Sequence, residues 1–516
     1  MTATTPRDTT SHDTAPRDTA PRDTARPDGA RLHLFDTMSN TAAPVSPGRD
    51  GPISLYACGP TVYDRPHIGN ARARVSTDLL VRVLEHVHGA GAVRYVSNIT
   101  DIDDKIIARA RAMAQPGDTI DSAIDRLVGT TIRDYRTDMA ALGCRTPDME
   151  PRARDHVADM ISMIETLVAR GAAYVSDDTR GRHVLFSVDS FRDYGRLANR
   201  QTCETPRTDS RVETAAKASS ADFVLWKPSL DDEPGWNSPW GRGRPGWHIE
   251  CSAMINACLG TEIDIHAGGV DLCFPHHENE IAQSRMAFGT DRLARIWMHT
   301  GSLTVDGAKM AKSLGNTVTV NDLLNDGLPG SAIRLALLMR QHRAPLDWTR
   351  SRVEEARDTL SRWTAIIDGR EDPSQDHVPE DVAAALLDDL NTPKAIAALH
   401  GRAREGDANG LAGGMALMGL VDETEHFEKR FKDSPTAGIN LAVSRILDLR
   451  AAARARRNFA EADRLRDRLN ACGIEIRDTI EGTRWTAVRM PDKDAIRMLA
   501  GHQDDQENSS QGGDDP

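Results

Sequence analysis

The side chains best suited to hold a metal ion concentrate in two short segments. Trp247-His248-Ile249-Glu250-Cys251 carries an imidazole, a carboxylate and a thiol, and Phe274-Pro275-His276-His277-Glu278-Asn279-Glu280 carries two imidazoles and two carboxylates. Pro275 suits the first turn of a helix, which places His276 and Glu280 four residues apart on one face, where both can ligate one ion. Adding Cys251 and the loop residue Cys58 gives a mixed sulfur, nitrogen and oxygen set that suits zinc. Neither cysteine belongs to a Cys-x-x-Cys pair, so spacing leaves another reading open: small core cysteines and histidines that cap a helix or lie on the surface.

A second chemistry is suggested by His67-Ile68-Gly69-Asn70, where a loop enters a helix. Unpaired N–H groups and the positive dipole end at a helix N-terminus suit polyphosphate. Gly69 permits close backbone approach, and His67 can donate to phosphate oxygens. The alternative is a helix start with a polar cap. Further on, Lys309-Met310-Ala311-Lys312-Ser313 lies between Gly307 and Gly315, the pattern of a flexible loop. Its two lysines can neutralise charge that builds on a departing pyrophosphate; alone, the pentapeptide also reads as a solvated basic turn.

The elements that must position these groups read as a parallel nucleotide-binding fold. A strand at Ile53 to Ala57, a loop to His67, an amphipathic helix from Ala71 to His88, a strand at Val93 to Ile99 and a helix opened by Thr100-Asp101 give its first half. An irregular stretch at 142–221 reads as an insertion, and the parallel pattern resumes at Asp222. Beyond Trp348 the sequence is helical, followed by a small terminal unit with two strands near Ile474 and Arg484. At 516 residues the chain is too long for one core, and no apolar run approaches the roughly 20 residues of a membrane span. The polar segments 1–30 and 501–516 read as disordered tails, and no signal peptide is visible. Seven cysteines without a secretory signal favour reduced thiols over a disulfide framework. A net charge of −13 argues against coating nucleic acid, yet Arg450, Arg454, Arg456, Arg457, Arg464, Arg466 and Arg468 make one local basic stretch.

Tyr56-Ala57-Cys58-Gly59-Pro60-Thr61-Val62-Tyr63 followed by His67-Ile68-Gly69-Asn70-Ala71-Arg72 resembles the N-terminal signature of cysteinyl-tRNA synthetases, a class I family. Its usual His-Ile-Gly-His ends here in Asn70, which hydrogen-bonds but carries no positive charge. The lysine loop resembles the family's Lys-Met-Ser-Lys-Ser, with Ala311 for the first serine. The resemblance covers Leu32 to Val488. It implies an α/β fold: a class I Rossmann-like parallel-sheet catalytic domain with an insertion, then a helical bundle and a small mixed α/β anticodon-binding domain. The corresponding boundaries are 31–141 and 222–300 for the catalytic halves, 142–221 for the insertion, 301–347 for the lysine-loop region, 348–438 for the bundle and 439–500 for the anticodon unit.

By the same resemblance Cys58, Cys251, His276 and Glu280 hold one zinc ion that reads the substrate thiol, and magnesium accompanies ATP. His67, Asn70, Lys309 and Lys312 are the implied catalytic residues. ATP meets His67, Gly69, Asn70, His266, Gly268, Gly269, Asp271 and Lys312; the amino acid meets Gly59, Thr61, Thr100 and Trp247. Phe459, Asp463, Arg466 and Asp478 are the implied contacts to transfer RNA. The implied activity is cysteine–tRNA ligation by a cytoplasmic monomer acting on ATP, L-cysteine and tRNA(Cys), without a membrane. Two rivals share these motifs: a cysteine:amino-sugar ligase of mycothiol synthesis, which has no use for Phe459 to Val488, and a catalytically inactive RNA-binding paralogue.

Overall fold

The computed structural model describes residues 31–47, 51–198, 217–311, 314–368 and 377–421, together with most of 446–487. The two tails, Cys203 and Lys312 lie outside the described residues. The chain opens on a hairpin, β1 (His33–Asp36) and β2 (Thr41–Pro44), before β3 (Ile53–Ala57), α1 (Ile68–His88) and β4 (Val93–Ser97). The helix expected at Thr100 starts later, as α2 (Asp104–Ala112), because the Asp103 side chain accepts from Lys105 N and caps it there. Next come α3 (Ile120–Ala141) and α4 (Val157–Ala169).

β5 (Ala173–Asp178), β6 (Gly181–Phe186), β7 (Phe223–Pro228) and β8 (Gly243–Pro245) form one antiparallel sheet. The expectation that the parallel pattern resumes at Asp222 is therefore corrected. Phe223 pairs with Phe186 and Trp226 with Val184, so the apolar run of β7 is buried by the insertion's own hairpin. The parallel frame returns only after α5 (Trp247–Leu259), with β9 (Ile263–Gly269), α6 (Glu278–Phe288) and β10 (Ala294–Thr300).

The parallel sheet runs β10-β9-β3-β4. From β3 the chain goes first to β4 on one side and later to β9 on the other, so the sheet reverses its winding between β3 and β9. Ligands of such sheets lie beyond the carboxyl ends of the strands at that reversal. The register brings Cys58, the residue after β3, to the Ala267 carbonyl of β9 at 3.0 Å, and sets Gly268 opposite His299 of β10.

The lysine region follows as β11 (Leu303–Val305), β12 (Ala308–Lys309), α7 (Val320–Asn325), α8 (Gly330–Leu338) and β13 (Leu346–Trp348). Helices α9 (Arg350–Asp368), α10 (Glu380–Leu387), α11 (Thr392–Glu405) and α12 (Ala408–Leu417) pack together, with Trp363 and Leu399 in their core. The last described unit sets α13 (Phe459–Ala471) on the hairpin β14 (Ile474–Thr479) and β15 (Gly482–Ala487).

Helix α1 differs from its amphipathic expectation in that its polar side is also buried, against α8 and α12. Arg72 is 1% exposed and donates to the carbonyls of Gly301, Ser302, Gln341, His342 and Ala344. Burial lowers its guanidinium to about 10, so it remains charged at neutral pH. Arg72 thereby fixes the segments that lead into β11 and β13, in the sheet that carries Lys309, against the helix that begins at His67. One turn and a half further on, Asp78 Oδ2 meets Arg334 Nη2 at 2.6 Å and Arg82 Nε at 2.8 Å. Burial alone would raise the Asp78 carboxyl, but the two guanidinium groups hold it well below the usual carboxylate range.

Asp78→Asn leaves two buried guanidinium groups without their carboxylate, and unfolding by urea should show a loss of about 3–5 kcal/mol. His342, buried beside Arg72 and Arg343, is lowered by burial from 6.5 to about 4. The unfolded chain then takes up the proton first. Stability from this group is complete above pH 6.5 and falls by about 3 kcal/mol as pH drops to 4. Thermal melts of His342→Leu should show a flatter decline across that window than the parent.

Candidate metal centre and nucleotide site

Cys58 leaves the end of β3, Cys251 lies in the second turn of α5, and His276 and Glu280 flank the start of α6. One donor atom from each of these four lies within 4.8 Å of the others. Cys58 Sγ is 3.9 Å from Cys251 Sγ and 3.6 Å from Glu280 Oε1, and His276 Nε2 is 3.1 Å from the same carboxylate oxygen. Burial pushes the Cys58 thiol well up, and Cys251 and Glu280 beside it push in the same direction. Two thiols and a carboxylate crowded into a dry site favour a cation among them, since each loses its proton more easily when one is bound. The donor set, two sulfurs, a nitrogen and an oxygen, fits zinc.

A second group overlaps the first: Cys58, His266, His277 and Glu280. The hydrogen bonds rank the two. His266 Nε2 lies 2.8 Å from Glu280 Oε2, and His277 Nε2 lies 3.3 Å from Cys58 Sγ. Both histidines thus serve as hydrogen-bond partners to members of the first group. His276 in turn reaches His248, Nδ1 to Nδ1 at 2.9 Å, and stacks on Trp247 at 4.1 Å between ring centroids. A ligating histidine commonly donates its other N–H in this manner, which fixes the ring and raises its basicity. The second group taken as the ligands would leave Cys251, His276 and this support without a task.

His266, expected at ATP, is wholly buried between Glu280 and the indole of Trp297, stacked at 4.6 Å. His277, His299, His248 and Trp297 had no role assigned from sequence. Trp297 and His299 are two apart on β10 and so share one face, a pattern present in the sequence but common to many strands. Cys273 also departs from expectation: it is disulfide-bonded, whereas Cys58, Cys144, Cys251, Cys258 and Cys472 are free.

Around this centre lie the residues expected at the amino acid. Gly59 accepts no side chain, because a Cβ there would sit 1.6 Å from the Asn98 carbonyl oxygen; its N–H is held by Asn98 Oδ1 at 2.8 Å. Thr61 bridges to Thr100, whose buried hydroxyl receives Asn98 Nδ2 at 3.1 Å. Trp247 is half-buried over His276. Gly268 and Gly269 end β9, with Asp271 exposed just after them.

His67 is the N-cap of α1. Its Nδ1 accepts from Gly69 N at 3.1 Å and Asn70 N at 3.3 Å, while Asn70 Oδ1 accepts from His67 N at 3.2 Å. The capping reading is thus real, and it has a chemical consequence. An accepting Nδ1 puts the ring proton on Nε2. Asn70 performs its part of this capping box with a carbonyl oxygen and no charge. The lysine loop rests against the same helix start: Ile68 N donates to Val318 O at 2.9 Å, and a Cβ at Gly69 would lie 3.2 Å from Met310 Cε. Lys309 is exposed on β12.

In the terminal unit Phe459 is 60% exposed, and Arg466 pairs with Asp463 at 3.1 Å. Asp478 lies on β14; its side chain is outside the described residues. No described helix is long and apolar enough to cross a membrane.

Residues 44–358 match the family model for the tRNA synthetases class I (C) catalytic domain, and residues 436–485 match that for the cysteinyl-tRNA ligase anticodon binding domain. A cysteine–tRNA ligase of Paracoccus denitrificans is 49% identical over 449 residues, spanning 86% of this chain and 94% of its own. One from Afipia carboxidovorans is 46% identical over 474 residues, spanning 89% and 100%. The fold is similar to that of the Agrobacterium radiobacter LeuRS, solved in a ternary complex with tRNA and LeuAMS. That match has a TM-score of 0.51 and 12% identity, and covers 74% of this chain and 85% of that one.

If Cys58 and Cys251 share one ion, zinc should withdraw both from a thiol reagent. Titrating the chelator-treated protein should lower the count of reactive thiols by about two per ion bound; an unchanged count would remove both cysteines from the site.

Proposed function

The chain belongs to the cysteine–tRNA ligase family of class I aminoacyl-tRNA synthetases, and from that premise we propose how its own residues activate cysteine and pass it to transfer RNA. The activity is that of a ligase. Cysteine's carboxylate attacks the α-phosphate of ATP, releasing pyrophosphate, and a terminal ribose hydroxyl of the transfer RNA then attacks the activated carbonyl. Such chemistry needs positioning and charge stabilisation, with no protein nucleophile. Magnesium enters with the nucleotide.

The observation that carries this assignment is the placement of Cys58, Cys251, His276 and Glu280 at the same carboxyl edge of the sheet at which α1 begins. When zinc is bound by these four residues, it supplies an electrophile that a thiolate ligates well and a serine hydroxyl poorly. Pocket shape alone separates such isosteres poorly. Trp247 and Thr100 flank the substrate side chain, and Gly59 keeps the floor of the pocket at backbone height. His67 directs its Nε2–H at phosphate oxygens, and Gly69 leaves room for them. Lys309 and Lys312 balance charge on the α-phosphate and the leaving pyrophosphate. Gly268, Gly269 and Asp271 border the adenosine.

The anticodon-binding match at 436–485 favours this reading over the amino-sugar ligase, which has no RNA to hold. Phe459, exposed on α13, offers a stacking face for an unpaired base, with Asp463, Arg466 and Asp478 nearby in sequence. We read the protein as a cytoplasmic monomer.

Lys312→Ala should slow cysteine-dependent ATP–pyrophosphate exchange roughly tenfold or more, and an unaltered rate would strip the lysine of its part. Cys251→Ser should lose the metal and, with it, much of the preference for cysteine over serine in the same assay. Retention of both would sink the sulfur-reading assignment.

A further inference from the structure

We propose that Thr37 is a positioning residue for the metal centre, whose hydroxyl starts a one-way hydrogen-bond relay through His299 and His277 to the Cys58 sulfur and thereby decides which of two overlapping donor sets takes the ion. This deepens, and rests on, the reading of Cys58 as a metal ligand.

The contacts are continuous. Thr37 Oγ1 lies 2.8 Å from His299 Nδ1, His299 Nε2 lies 2.8 Å from His277 Nδ1, and His277 Nε2 lies 3.3 Å from Cys58 Sγ. Thr37, His299 and His277 are all buried. A ligating Cys58 is a thiolate, which accepts hydrogen bonds and cannot donate them. His277 must therefore carry its proton on Nε2, leaving Nδ1 to accept. His299 then donates from Nε2 and accepts at Nδ1, so the Thr37 hydroxyl donates. Each ring holds one proton, and no imidazolium is required. Burial supports this by lowering His299 to about 3, so its ring is neutral across the physiological range.

The opposite direction has a definite cost. If His299 carried its proton on Nδ1, His277 would donate from Nδ1 and turn the Nε2 lone pair toward the centre. That atom belongs to the second donor group, Cys58, His266, His277 and Glu280, which excludes Cys251 and His276. The hydroxyl is held where it can donate to His299 Nδ1. Thr37 N donates to Trp297 O at 3.0 Å, and Asp36 Oδ1 accepts from Trp297 N at 2.9 Å, so the turn is clipped to β10 two residues before His299. Asp36 Oδ2 also accepts from Ser39 N at 2.8 Å and holds the turn's shape.

The test uses the full-length protein loaded with cobalt(II), whose sulfur-to-metal charge-transfer absorption grows with the number of thiolates bound. The parent should show the two-thiolate band. Thr37→Val, close in shape but without the hydroxyl, should lose about half of it and hold the metal about 10–100-fold more weakly against a chelator. Thr37→Ser should restore both. His299→Leu, which cuts the relay one link nearer the sulfur, should reproduce the valine result and serves if Thr37→Val does not fold. A parent-like band and affinity in Thr37→Val or His299→Leu, or a serine variant as impaired as the valine one, would overturn the relay. A parent protein with no sulfur band would instead overturn the metal reading itself.

Discussion

The structure turns on one electrostatic constraint: two sulfurs and a carboxylate converge at the buried end of a parallel sheet, where burial pushes the Cys58 thiol well up. Placing them there costs folding free energy unless an ion offsets it, and the surrounding hydrogen bonds are arranged around that need. His266 supports Glu280, His277 supports Cys58, and His248 supports His276. The indoles of Trp247 and Trp297 stack on two of these rings and keep them from turning. An imidazole suits this purpose, because in its neutral form it presents one donor and one acceptor and adds no charge of its own. Burial keeps His277 far below its ordinary value and so maintains that neutrality.

The nucleotide side is built by a different device. Helix α1 joins the two motifs mechanically, with His67 at its start, Arg72 holding the segments that lead into the lysine-loop sheet, and Asp78 joined to the helical unit through Arg334. A guanidinium whose two terminal nitrogens reach five carbonyls needs no carboxylate beside it, so it can sit where backbone segments meet. The same helix therefore sets the distance between its own N-terminal N–H groups and the sheet that carries Lys309. Its polar side is buried for that reason, and the usual division into a wet face and a dry face does not apply.

Helix α1 also shows where local pattern reading stops. Val75, Leu79 and Val83 mark one apolar stripe, and that stripe is in the core; Asp78 and Arg82 pair with each other four residues apart, but nothing local says that they and Arg72 are buried, because Arg334 and the carbonyls that hold Arg72 lie more than 200 residues away. Strand β7 failed as a parallel strand for a similar reason. A short apolar run fits either sheet, and only the hairpin at β5 and β6 claims it. Asn70 was legible as a loss of charge; its use as a capping oxygen depended on seeing His67 N beside it.

The sequence by itself determined the chemistry available: which side chains can ligate a metal, which glycines admit a backbone, and, through the i, i+4 spacing of His276 and Glu280, one pair that must share a face. These follow from residue type and from helical geometry, both local properties. Only the tertiary structure decided that Cys58 meets Cys251, that His266 turns to Glu280, and that Thr37 ends a line of histidines leading to the sulfur. Those pairings arise from strand order and register, which bring together residues separated by as many as 262 positions and leave no trace in the spacing along the chain.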